Sequence, residues 1–420
     1  MILVPAREFL ETPAMEPFFT ELGRTVLDRW KQENFSLAKF PGIAQSALEE
    51  QPPAQHVDTA ELIRHFLLDD EQPFQSQSGF GQPELIVYDN PRFYIQILFW
   101  LEGTTDIHQH KFSGAFHVLE GSSIHSHFEF AEPLAISAHL RVGQLRIKDT
   151  QLLETGVTVP IISGTGCIHA LFHLDTPSLT VVIRTHTDPG TGPQFTYLPP
   201  HLAVDPFYSD ALTTRRKQLL DVLEKTESPE YAELVGKMVA DLDFERGFFI
   251  LQNCMTHLVN IGEWEEVWDV FAAKHGSLAD YVEPTLEGIV RRDAIVALRG
   301  SVGDAEHRFF LALLLNVPGR AEILRLVGQR FDGSPEDTVM RWAEELSDAS
   351  EDTARILDAE FPEEVEVPEE QQLGVFLAVL RQFMEEEPEM MLPDYNLSRE
   401  DIEAIRGALS QSSLKALVSA

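Results

Sequence analysis

His108 and His110 are separated by one residue in a segment rich in β-prone side chains. Successive strand residues point to opposite faces, so two histidines at this spacing share a face and both imidazoles can close on one metal ion. Gly103 precedes the pair by five residues and Gly121 follows His110 by eleven, glycines suited to turning the chain into and out of short strands. Ten of the fifteen histidines fall between His108 and His201, less than a quarter of the chain, so the imidazoles are concentrated where such a site would need them.

The third ligand is expected at His169, in Gly164-Thr-Gly-Cys-Ile-His-Ala-Leu-Phe-His173, where a glycine-rich turn feeds a strand and brings one histidine inward. Three neutral imidazoles around Fe(II) leave a dipositive centre with open positions, a charge that suits an anionic ligand bound beside dioxygen. His173 shares the face of His169, but four strand residues span roughly 13 Å, too far for the same ion. His125-Ser126-His127 repeats the His-x-His spacing without a preceding glycine turn and reads as pocket lining or surface. His117 has the parity of Ala115 and reads either as a pocket residue or as a packed core histidine. Cys167, two residues before His169, has the commoner role of a small buried hydrophobe.

The elements that must position these residues change character along the chain. Residues 1–83 read as helices and loops, with Asp58-Thr-Ala-Glu61 opening one helix. Between Glu84 and Tyr197 short β-prone runs such as Phe93-Tyr-Ile-Gln-Ile-Leu-Phe-Trp100 and Leu179-Thr-Val-Val-Ile-Arg184 are separated by Gly, Pro and Asp turns. With no helix long enough for crossovers, they predict an antiparallel sandwich or barrel over 84–204. After Pro199-Pro200 apolar residues recur at helical spacing, and Ser228-Pro229, Ser334-Pro335 and Ser398 look like helix starts, predicting an all-α domain over 205–420.

A net charge of −36, of which −24 lies after residue 200, disfavours nucleic acid and anionic lipid as partners. Acidic runs at 362–370 and 385–389 read as solvated linkers. Two cysteines, a short apolar N-terminal run unlike a signal peptide and no membrane-length apolar stretch predict a cytoplasmic chain.

Gly-x4-His-x-His with a distant Gly, then a turn into a further His some sixty residues on, resembles the two motifs of the cupin superfamily. Ile97-Leu-Phe-Trp100 running into Glu102–His110, and Ile168-His169 through Val181-Val-Ile-Arg184, are similar to thiol dioxygenases of the cysteine dioxygenase type, over about residues 84–190. The resemblance implies an all-β cupin barrel (a double-stranded β-helix) holding Fe(2+) on His108, His110 and His169, and oxidation of a small thiol by O2 to a sulfinate. Where many cupins place a glutamate, and mammalian-type cysteine dioxygenases a crosslinked cysteine, this chain has Gly114-Ala115, which favours three histidines alone. In the late strand where the family keeps a His-x-Tyr pair, the chain reads Arg184-Thr185-His186. Residues 184 and 186 share a face, so Arg184 is expected to clamp a carboxylate and His186 to contact oxygen or substrate. No arginine stands at the upstream position that binds the substrate carboxylate in cysteine dioxygenases, Arg92 being the nearest, so cysteine need not be the substrate. Two alternatives stay open: a cupin with another divalent metal doing isomerase, lyase or hydrolytic chemistry, and a ligand-sensing module whose helical domain binds a protein partner or a second copy.

Overall fold

Alternation decides the first half of the fold. In the second strand Phe93, Ile95, Ile97 and Phe99 point to one side and Leu98 and Trp100 to the other, and both sides are buried. The computed structural model describes residues 15–69, 73–75, 80–101, 106–349, 361–384, 395 and 397–418. Gly103, the acidic run 385–389 and much of the loop at 72–81 lie outside the described residues.

Three helices, α1 (Met15–Gln32), α2 (Phe40–Glu50) and α3 (Thr59–Leu68), precede the strands, and Asp58 caps α3 by accepting from the Glu61 N–H at 2.8 Å. The strands are β1 (Glu84–Asp89), β2 (Phe93–Trp100), β3 (Ile107–His110), β4 (Gly114–Glu120), β5 (Ser123–Ala135), β6 (Leu140–Leu153), β7 (Thr158–Ile161), β8 (Gly164–His173), β9 (Ser178–Thr185), β10 (Thr196–Leu198) and β11 (Leu202–Val204). They form an antiparallel sheet in the order β1–β2–β9–β4–β7 and a closed ladder in the order β10–β11–β6–β5–β8–β3. The expected antiparallel barrel with helices before and after it is thus present. Strand β11 follows Pro199-Pro200 and falls within the 84–204 span, where Leu202–Val204 pairs with β10 and with Leu140–Val142 of β6.

The chain divides into two compact units. The first comprises Met1–Thr105, Gln109–Ser123 and Leu152–Gln194. Here Phe19, Leu22, Val26 and Trp30 of α1 and Phe40, Ala44 and Leu48 of α2 pack with the odd residues of β2, β9 and β4. The opposite face carries Leu98, Trp100, Phe116, Val118 and Val182, joined by Leu171 of β8. Fully burying a side chain such as Phe93 is worth about 1.5–3 kcal/mol, so this two-sided packing fixes the register that the site depends on.

The second unit comprises Asp106–His108, Ile124–Gln151 and Phe195–Ala420. Leu140, Val142 and Leu202 pack with Tyr231, Phe248, Leu251 and Phe271 of the helices that follow. Those helices are α4 (Ala211–Lys225), α5 (Tyr231–Asp241), α6 (Phe244–Asn260), α7 (Trp264–His275), α8 (Glu283–Ser301), α9 (Ala305–Asn316), α10 (Arg320–Arg330), α11 (Pro335–Ala349), α12 (Glu369–Met384), α13 (Arg399–Leu409) and α14 (Lys415–Val418). Ser334 and Ser398 cap α11 and α13 as expected, the latter in a full capping box with Asp401. At Ser228-Pro229 the helix begins later, at Tyr231, because residues 228–230 close a turn in which the Tyr231 N–H donates to the Ser228 carbonyl. No helix among the described residues is long and apolar enough to cross a membrane.

Candidate metal centre

Strand β3 is only four residues long and buried throughout, and its alternation puts His108 and His110 on one face. His169 comes from the middle of β8, on the face that also carries Cys167, Leu171 and His173. One ligand atom from each of His108, His110 and His169 can be chosen so that all lie within 4.8 Å of one another. The Nε2 atoms of His110 and His169 are 2.8 Å apart. Two nitrogens bound cis to one ion at about 2.1 Å would be about 3.0 Å apart, so this pair is already near coordination geometry.

The chemistry of the donors agrees. His108 Nδ1–H donates to the Asp106 carbonyl at 2.7 Å, which fixes the tautomer whose Nε2 carries the lone pair. Burial pushes the His108 pKa below the ordinary imidazole value, with the Asp106 carbonyl opposing it only in part, so the ring stays neutral and ligand-competent. A cation fits a buried cluster of neutral imidazoles far better than three protonated rings would.

Nothing at Gly114 can add a ligand. A Cβ built there would overlap the Ile183 carbonyl oxygen of the paired strand β9, so glycine is required by close backbone approach. Ala115 points to the helix-covered face with Leu119. Gly121 takes a φ of +83°, the left-handed turn expected where β4 hands over to β5.

The other expected site residues are dispersed. His117 does share the parity of Ala115, but that is the face under the N-terminal helices, while Phe116 faces His169 at 6.4 Å between ring centroids. His117 is fully buried, its Nδ1 is 2.8 Å from Thr158 Oγ1, and burial lowers its pKa to about 4. These surroundings are those of a packed core histidine, one of the two readings open from the sequence. His186 lies one residue beyond the end of β9, exposed, with Nε2 2.9 Å from the Asn90 carbonyl and its ring beside Tyr94. The strand ends before its alternation can carry His186 inward, which leaves its ring at the surface.

Arg184 does face inward. Its guanidinium carbon sits 3.4 Å from the Phe112 ring centroid and 5.1 Å from that of Tyr94, and Phe112 in turn lies 4.4 Å from the His110 ring. Its hydrogen bonds to the Thr185 and His186 carbonyls are both long, at 3.4 Å. Arg92 stacks on Phe35, in the helical layer. Burial pushes the Cys167 thiol up to about 11, so it is an inert buried group rather than a nucleophile. His173 stacks on Trp100 at 4.5 Å between centroids, with Nδ1 3.0 Å from Ser123 Oγ, outside the three-histidine group as expected.

Two residues were missed from the sequence. Phe112 continues the 108, 110 spacing and could have been found by extending it. Asp106 acts through its backbone carbonyl, so its side-chain type carried no signal.

No protein-family model matches the chain, and no curated protein sequence matches it. Among solved structures, DMSP lyase DddQ from Ruegeria pomeroyi DSS-3 is 14% identical over 44% of this chain and 98% of that chain, with a TM-score of 0.24. Hydroquinone 1,2-dioxygenase from Sphingomonas sp. TTNP3, with 4-hydroxybenzoate bound, is 11% identical over 29% of this chain and 81% of its own, at a TM-score of 0.21. KdgF from Halomonas sp. is 15% identical over 29% and 94%, at 0.20. Likeness this slight carries no functional argument, so the reading of the centre has to come from its own residues.

Proposed function

We propose that the chain is a cupin-type non-heme iron oxygenase that oxidises a small thiol with O2 at a centre held by His108, His110 and His169. The observation that carries this is the convergence of three buried imidazoles with no room for a fourth protein ligand at Gly114. Fe(II) on three imidazoles would keep its positive charge and open positions for a thiolate and dioxygen. The surrounding residues supply orientation: the Asp106 carbonyl holds His108 in its ligating tautomer, and Phe112 and Phe116 give the ligands apolar walls. Arg184, inward-facing and supported by Phe112, would pair with a carboxylate on the thiol substrate. His117 and His186 have no part in this reading.

The test is anaerobic loading with Fe(II), followed by oxygen uptake against small thiols with and without a carboxylate. Uptake coupled to sulfinate formation, and lost in His108→Ala, is the expected result. Stoichiometric iron with no uptake on any thiol would contradict the oxygenase reading; tight binding of Zn, Mn or Ni with turnover in the absence of O2 would favour isomerase or lyase chemistry.

A further inference from the structure

We infer that Asp188 is a positioning residue for His110, acting through a hydrogen-bonded clasp that fixes the end of the ligand strand; this rests on the three-histidine reading. His110 is the last residue of a four-residue strand, and Lys111–Ser113 continue without regular structure. Such an end frays unless something holds it. The segment after β9 does so. Asp188 is only 4% exposed, a position a carboxylate tolerates only with its oxygens satisfied. It accepts from Ser113 Oγ at 2.5 Å and from Thr185 Oγ1 at 2.7 Å, while its own backbone N–H donates to the Lys111 carbonyl at 2.7 Å. The Ser113 and Thr185 backbones close the clasp from the other side: Ser113 N–H donates to Thr185 Oγ1 at 3.0 Å, and Thr185 N–H to the Ser113 carbonyl at 2.9 Å. Before His110, Gln109 Nε2 donates to the Pro193 carbonyl at 2.9 Å.

His110 is therefore flanked on both sides by residues tied to one ten-residue stretch, Thr185–Gln194. The carboxylate holds two hydroxyls at once. Without it Ser113 and Thr185 lose their shared acceptor, and the turn that aims the His110 ring loosens.

The test is a Co(II) titration of the full-length chain, reading both affinity and the visible ligand-field spectrum, for wild type, Asp188→Ala and Asp188→Asn at matched folded fraction. Asp188→Ala is expected to weaken Co(II) about 10- to 100-fold, the range for partners that orient a ligand, and to change the spectrum of the bound ion. Asp188→Asn, which keeps one acceptor and can donate to a rotated hydroxyl, is expected to restore most of both. A merely structural role would lower the melting temperature without moving the spectrum. If Asp188→Ala does not fold, Ser113→Ala removes one arm of the clasp and is expected to give a smaller loss of the same kind. Wild type that binds no Co(II) fails the three-histidine reading and the inference with it. Wild-type binding with wild-type affinity and spectrum in the folded Asp188 or Ser113 variants overturns the inference alone.

Discussion

The chain carries the same three-residue pattern twice, and the two copies have different fates. His108-Gln-His110 lies in a fully buried strand and meets a third imidazole, His169. His125-Ser-His127 lies in β5, with its rings 4.2 Å apart, but His127 is half-exposed and its Nδ1 is 2.9 Å from the Asp149 carboxylate. His125 is buried, and its pKa is pushed down to about 3 mainly by that burial, with His127 and His108 adding to it. Spacing makes two imidazoles neighbours in both places. A ligating centre needs in addition a third donor from another strand and a neutral acceptor, such as the Asp106 carbonyl, that fixes the tautomer without adding charge.

The comparison can be broken most forcefully by removing the third donor. His169→Ala should weaken divalent metal binding by more than about 100-fold, beyond the usual effect of an outer partner, whereas His127→Ala should stay within about twofold by calorimetry. A fourth ligand cannot be grafted in: Gly114→Glu should destabilise the fold by about 2–3 kcal/mol in urea titrations, because its Cβ collides with the Ile183 carbonyl. Tighter metal binding in that variant would contradict the account.

Acid acts on the buried rings. His173 and His125 both have folded pKa values of about 3, below the ordinary value of about 6.5, so the unfolded state binds protons first. Their contribution to stability is complete above about pH 6.5 and is lost progressively as pH falls toward 3. Denaturation followed from pH 7 to 4 should show that slope, and His173→Gln should flatten it. Arg184→Met should leave metal affinity within about twofold while weakening a carboxylate-bearing thiol about tenfold, the scale of one charge-assisted contact. The smallest effect is expected at His127 itself, where loss of the partly exposed pair with Asp149 should change stability by less than about 1 kcal/mol.

The sequence made β2, β9, the shared face of His108 and His110, and the starts at Ser334 and Ser398 readable, since each depends on local periodicity or capping. It left the choice open at His117. Parity correctly grouped His117 with Ala115, but β4 is buried on both faces, and parity does not say which face lies under helices. Arg184 and His186 have equal parity too, yet β9 ends at Thr185, so only Arg184 keeps the inward direction. That the later helices share a compact unit with β5, β6, β10 and β11 was not readable, because the residues that pack together, such as Leu140 with Phe248, are far apart in sequence.

The most direct test is to count the imidazoles bound to the metal, by X-ray absorption and pulsed paramagnetic resonance on the Co(II)- or Cu(II)-loaded chain. The account predicts three nitrogens at about 2.0–2.1 Å in wild type, two in His169→Ala, and three still in the His125→Ala, His127→Ala double variant. A count that falls in the double variant and holds in His169→Ala would contradict it.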